Sequence, residues 1–181
     1  MYFVGMLRRV LRRLRWRPID EILFECLPST LPEPPQIEVP LVISKHMAGA
    51  PTGIADIDRR IGNRWCYVGW LNGEVAHTNF ASFDCHLTGQ FGYEAGIPVL
   101  CDGFTKKQYR GQRMQSAVLH KMITDLLEAG HSRVYTLVAP DNTASLRGVA
   151  RAGFVPVARL RGARLFGILF IFGVDKQVYL P

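Results

Sequence analysis

Little in this chain invites metal or disulfide chemistry. Its four cysteines, Cys26, Cys66, Cys85 and Cys101, are scattered, with no pair at Cys-x-x-Cys spacing. That argues against a zinc ribbon and a disulfide framework, fits a reducing compartment, and leaves each thiol as a small buried apolar group. Cys85 and His86 are neighbours, but two adjacent ligands without others at suitable spacing do not make a metal site. Long apolar runs are missing too. The best, Leu165 to Phe172, falls far short of the ~18 residues that span a bilayer and reads as a buried strand. Acidic residues are absent from the first 17 positions, which hold Arg8, Arg9, Arg12, Arg13, Arg15 and Arg17. Taking those six from the 22 basic residues leaves 16 against 15 acidic, so the net charge of +7 belongs to the arm and the body is close to neutral. A globular domain that grips nucleic acid usually carries its own basic face, which sets nucleic acid aside as a partner.

What is present suits one domain. A length of 181 residues and a hydrophobic fraction of 48% allow a single core with something extra at one end. In the arm, Phe3, Met6, Leu7, Val10, Leu11 and Leu14 recur at helical spacing with arginines between them, which predicts a basic amphipathic helix over 1–17. Its charges follow its apolar residues, unlike a secretory signal. Such a helix can lie on an anionic membrane surface, bind RNA or DNA phosphates, or serve as a mitochondrial-type targeting segment, against which its lack of serine argues. Otherwise it packs on protein with solvated arginines. The expected location is cytoplasmic, with the arm available to the inner face of a membrane.

Residues 18–64 open the folded part, with a proline-rich linker between Pro28 and Pro35. An apolar run at Ile22 to Phe24 and an alternating one at Ile37 to Ser44 read as strands, and Ile54 to Ile61 as a short helix. Residues 65–181 are more regular. Trp65 to Leu71, Asn72-Gly73 and Glu74 to Phe83 spell a hairpin about a two-residue type I′ turn. Val99 to Phe104 reads as a strand, and Met114 to Ala129 as a helix closed by Gly130. Arg133 to Val138 is a strand and Thr143 to Ala152 a helix, with Asp141 or Asn142 as N-cap and Gly153 as its end. Phe154 to Leu160 and Leu165 to Phe172 are the last strands. This order predicts an α/β fold: a mixed, mostly antiparallel twisted sheet with helices on both faces.

Tyr109-Arg110-Gly111-Gln112-Arg113-Met114-Gln115 joins a strand to a helix, where free backbone N–H groups can converge on a phosphate. Thirty residues on come Asp141-Asn142-Thr143-Ala144-Ser145 and Arg151-Ala152-Gly153-Phe154. Together, over about Trp65 to Phe172, these resemble the GNAT superfamily of acyl-CoA-dependent N-acyltransferases. The first resembles its pyrophosphate loop, [Q/R]-x-x-G-x-[G/A]; the second its Asn-x-Ala-Ser … Lys-x-Gly-Phe helix. Arg113 and Gln115 stand at the two glycine positions, where a side chain fits if φ is negative and it points outward. Val149 stands where many members carry the tyrosine that protonates the CoA thiolate.

The resemblance implies acetyl-CoA or another acyl-CoA as co-substrate, no metal, and direct attack on the thioester by a small-molecule or peptide amine. It implies that Phe104 and Thr105 line the acyl and pantetheine arm. Arg110, Gly111, Gln112, Arg113, Met114 and Gln115 would hold the pyrophosphate, and Asn142 and Ser145 would touch the pantetheine side. Candidate bases are Asp102 first, then Glu94, with His77 read as an ordinary polar residue. Acceptor choice falls to Lys45 to Asn63 and Asp84 to Pro98. Two rival readings are a non-catalytic acyl-CoA sensor, motivated by the missing tyrosine, and a membrane-associated adaptor built around the arm.

Overall fold

The hairpin turn shows how local chemistry sets the elements. Asn72 and Gly73 take φ of 51° and 78°, the left-handed pair that a type I′ turn requires. They join β3 (Trp65–Leu71) to β4 (Glu74–Ser82). The computed structural model describes residues 17–85, 96–165 and 168–176. The other elements are β1 (Arg17–Cys26), β2 (Val42–His46), α1 (Ala55–Ile61), β5 (Val99–Thr105) and α2 (Met114–Glu128). They continue with β6 (Val134–Val138), α3 (Thr143–Arg151), β7 (Val155–Leu165) and β8 (Ile168–Asp175). The expected arm helix, apart from Arg17, lies outside the described residues, as do His86 and Glu94.

Helix ends follow the sequence signals. The α2 helix closes on Gly130 at φ 95°, with Gly130 N–H donating to Leu127 O and His131 N–H to Leu126 O. Those two bonds form a Schellman motif. The α3 helix is capped by Asn142, whose side chain accepts from the Ser145 N–H at 3.2 Å.

One sheet takes all eight strands in the order β2-β3-β4-β5-β6-β1-β7-β8. Every described pairing is antiparallel except β5 with β6. Helices cover both faces, as alternation along the strands dictates. Phe24, Tyr67, Leu100 and Val138 pack with α2 and α3 residues such as Val118, Met122 and Val149. On the other face Cys66, Val68 and Phe80 meet Ile57 and Ile61 of α1. Burial pushes the Cys66 thiol up to about 12, which suits an inert apolar filler.

Three expectations need correction. Arg17 belongs to β1 rather than to the arm helix, because the residue before a proline is driven from helical to extended backbone. The second strand begins at Val42, after Pro40, and not at Ile37; proline has no N–H for the ladder. The run read as one buried strand, Leu165 to Phe172, instead divides between the last residue of β7 and the first five of β8. The β8 strand is a sheet edge, and Phe172 on it is 65% exposed. Residues 18–64, expected as the N-terminal part of the domain, hold β2 and nearly all of β1. β1 sits between β6 and β7, pairing Cys26 with Val134 on one side and Glu21 with Leu160 on the other.

Candidate functional site

β5 and β6 hold together through two residue pairs, Val99 with Tyr135 and Leu100 with Thr136. Beyond Leu100 they diverge, while β5 stays on β4 as far as Thr105. A register shift between Thr78 and Phe80 bulges β5 and throws Asp102 to φ 53°. The divergence opens a cleft of about 420 Å³ on the side of α2 and α3.

Nine of the ten residues assigned to donor binding line this cleft. Phe104 and Thr105 come from the end of β5, and Arg110, Gly111, Arg113, Met114 and Gln115 from the loop and first turn of α2. Asn142 and Ser145 come from the start of α3. The tenth, Gln112, turns to a smaller pocket of about 250 Å³ against Gln36, Glu38 and Val39, where its buried Oε1 has no hydrogen-bond partner.

The loop conformation departs from expectation at Arg113, which takes φ 58° and ψ 14° as the N-cap of α2 instead of a negative φ. A non-glycine residue in that region is strained by about 1 to 2 kcal/mol, strain that recurs at binding loops. Gly111 takes φ 84° with open space where a Cβ would stand, so what it contributes is backbone freedom, not room.

The α2 and α3 N-termini are held side by side. Gln115 Nε2 donates to Ser145 Oγ at 3.2 Å, and Ser116 Oγ donates to the Gly148 carbonyl at 3.2 Å. Gly148 permits the approach, since a Cβ there would lie 2.6 Å from Gln115 Oε1. Two helix starts therefore present free backbone N–H groups and partial positive charge to one cleft.

Sequence reading missed the side chains that charge it. Arg147 and Arg151, one turn apart on α3, join Arg110 and Arg113 in the lining. Their i, i+4 spacing behind a capped helix start was the available signal. None of the four forms an ion pair among the described residues.

His77 lines the cleft as well, although it is only 1% exposed. Its Nδ1 is hydrogen-bonded to Thr105 Oγ1 at 2.8 Å, and its Nε2 has no partner. Burial pushes its pKa down to about 4, so the ring is neutral at physiological pH. Asp102 stands apart. It is absent from the lining, and its carboxylate accepts from Arg64 Nη1 at 2.7 Å on the α1 side of the sheet. Val149, at the expected tyrosine position, is 1% exposed within the core under α3. Among the described residues no cluster of His, Cys, Asp or Glu has metal-binding arrangement, and no helix is long and apolar enough to cross a membrane.

No protein-family model and no curated protein matches the sequence. Solved structures do. A GNAT-family acetyltransferase from Colwellia psychrerythraea superposes with a TM-score of 0.56 at 15% identity, covering 93% of this chain and 62% of its own. The chain has a GNAT-like fold. A GCN5-related N-acetyltransferase from Sphaerobacter thermophilus gives 0.56 at 15% identity over 94% of this chain and 58% of that one. A GCN5-related N-acetyltransferase-like protein from Streptococcus suis gives 0.53 at 11% identity over 88% and 66%. The chain thus spans less than two thirds of each of these proteins. The GNAT-like architecture extends to residues before Trp65, because β1 and β2 are strands of the same sheet.

Proposed function

We propose that this protein moves an acyl group from acyl-CoA, acetyl-CoA being the simplest, to a primary amine bound beside the divergent strands. The observation that carries the reading is the split between β5 and β6, with the α2 and α3 N-termini converging on it. The residues present fit such a donor. The loop at Gly111 and Arg113, both at positive φ, lines the cleft at the start of α2, whose first backbone N–H groups have no intrahelical partner and give a diphosphate somewhere to bind. Phe104 and Thr105, on the part of β5 that has lost β6, offer backbone to an extended pantetheine arm. The bound thioester supplies an activated carbonyl and a thiolate leaving group.

The chain's own part in the reaction is positioning and proton handling. A neutral His77 lines the cleft, its ring fixed by Thr105 and its buried Nε2 unpartnered. Asp102 directly precedes cleft-lining Gly103 and is half exposed, but its carboxylate lies on the α1 side of the sheet, so it is the candidate acceptor for the amine proton only by way of solvent. To take up that proton its carboxylate gives up Arg64. With Val149 in the core, no side chain at that position reaches the cleft as an acid, and the thiolate is left to solvent.

The test has two arms. Acetyl-CoA at about 100 times its dissociation constant should add roughly 2.7 kcal/mol of stability, read as a raised melting temperature. An amine panel scored by thiol release should then name the acceptor. No thermal shift with any acyl-CoA at millimolar concentration would sink the proposal. A clear shift with no thiol release from any amine would favour a non-catalytic acyl-CoA sensor.

A further inference from the structure

The body of the protein is nearly neutral, yet its charge is not evenly spread. Four guanidinium groups, from Arg110, Arg113, Arg147 and Arg151, line one cleft of about 420 Å³. No aspartate or glutamate among the described residues lines it with them. The carboxylates close by in sequence do not neutralise it. Glu74 is engaged by Tyr109 Oη at 2.9 Å and by Lys106, and Asp141 is exposed outside the lining. Two helix N-termini add to the same potential. His77 supplies a second kind of evidence: a polar side chain almost wholly buried in the lining, with a ring nitrogen that has no partner.

So much uncompensated charge exceeds what a diphosphate alone needs. A diphosphate diester carries two negative charges, and a phosphate monoester adds about 1.5 to 2 more near pH 7. The arginines also fall into two groups. Arg110 and Arg113 belong to the loop before α2, whereas Arg147 and Arg151 project from α3 on either side of Gly148. Guanidinium groups one helical turn apart suit a phosphate monoester, whose oxygens accept several charge-assisted bonds at once.

We infer that Arg147 and Arg151 bind the 3′-phosphate of the donor's adenosine, so that this cleft selects 3′-phosphorylated coenzyme A over donors lacking that group. The inference rests on the acyl-CoA reading and narrows it. Dephosphorylated CoA and a phosphopantetheine arm carried on a protein share the diphosphate or phosphopantetheine chemistry but not the monoester. They leave the α3 arginines without a counter-charge.

Titration calorimetry on the full chain tests this with two probes, CoA and 3′-dephospho-CoA, at about 0.1 M salt, where charge contacts are still felt. The wild type should bind CoA roughly tenfold or more tightly, the scale of a lost charge-assisted bond. An Arg147→Gln/Arg151→Gln variant should bind the two probes alike, with its affinity for 3′-dephospho-CoA unchanged. An Arg147→Lys/Arg151→Lys variant should keep part of the preference. Both arginines are exposed, so the unliganded melting temperature should hold. Equal wild-type affinity for the two probes would overturn the inference and leave the acyl-CoA reading standing. So would a double variant that weakens both probes equally. Binding of neither probe at millimolar concentration would overturn both.

Discussion

Replacing Gly148 with alanine should separate stability from ligand binding. In the interior of α3, glycine is worth about 1 kcal/mol less than alanine, so the change gains that much in helix propensity. Against it stands the contact that the missing side chain permits: the new Cβ would lie 2.6 Å from Gln115 Oε1 and 2.8 Å from its Cδ. Those atoms are the far end of a flexible side chain, so the cheapest relief is for Gln115 to swing away. That breaks its 3.2 Å bond to Ser145 Oγ, a loss of about 1 kcal/mol. The two terms nearly cancel, and the urea midpoint of Gly148→Ala should move by no more than about 1 kcal/mol equivalent. Binding has no such compensation. Gln115 lines the cleft at the start of α2 and, once displaced, occupies space that a ligand needs. CoA affinity should fall roughly tenfold, about 1.4 kcal/mol. Removing the clashing partner completes the cycle: in a Gln115→Ala background Gly148→Ala should be stabilising by about 1 kcal/mol. A loss above about 3 kcal/mol for the single variant, or unchanged CoA binding, refutes this reasoning.

Gly153 offers the opposite case. At φ 90° a Cβ there meets Thr30 O and Pro32 Cδ at 2.5 Å, and backbone cannot step aside. Gly153→Ala should cost about 3 kcal/mol or more in urea unfolding, whereas Gly130→Ala, at φ 95° with nothing within 4 Å, should cost only about 1 kcal/mol. Asp102→Asn should lower turnover on the true acceptor about 10²-fold with CoA affinity unchanged. The fold should tolerate it because asparagine accepts the φ of 53°, and unaltered turnover across pH 6–9 would remove Asp102 from the mechanism. His77 has its pKa held at about 4 by burial, below its unfolded value near 6.5. Its neutral form therefore contributes stability that is complete above pH 6.5 and is lost as pH falls toward 4, about 3 kcal/mol in all. A His77→Gln variant should flatten the stability curve across that window, and an unchanged slope would show that the ring ionises without cost.

Sequence reading succeeded where the determinant is local. Asn72-Gly73 dictates its turn, Gly130 its Schellman closure and Asn142 its cap, because each acts on backbone within a few residues. The loop before α2 was legible for the same reason, since Arg110 to Gln115 lie at one strand-to-helix junction. Pairings across a hundred residues were not. Nothing around Leu23 announces Leu137 and Ala158 as its neighbours. The charge of the cleft escaped as well, because a whole-chain sum cancels Arg147 and Arg151 against acids that lie elsewhere. At Arg113 the general preference for negative φ lost to the geometry of the loop.

The place of β1 in the sheet has a consequence for how the chain is made. β1 is the earliest described strand to leave the ribosome, yet its partners are Val134–Val138 and Val155–Leu165. Until residue 165 has emerged, the apolar residues of β1 have no finished slot, and the two parts of the sheet on either side of it have no bridge. Such contacts, more than a hundred residues apart, close late and slowly. The earliest of the described strands is thus locked in among the last. During synthesis β6 also leaves an unpaired edge for as long as β1 stays out, a surface on which another chain can add. The topology that seats β1 between β6 and β7 thereby makes the emergence of β7 the moment at which folding of this sheet is decided.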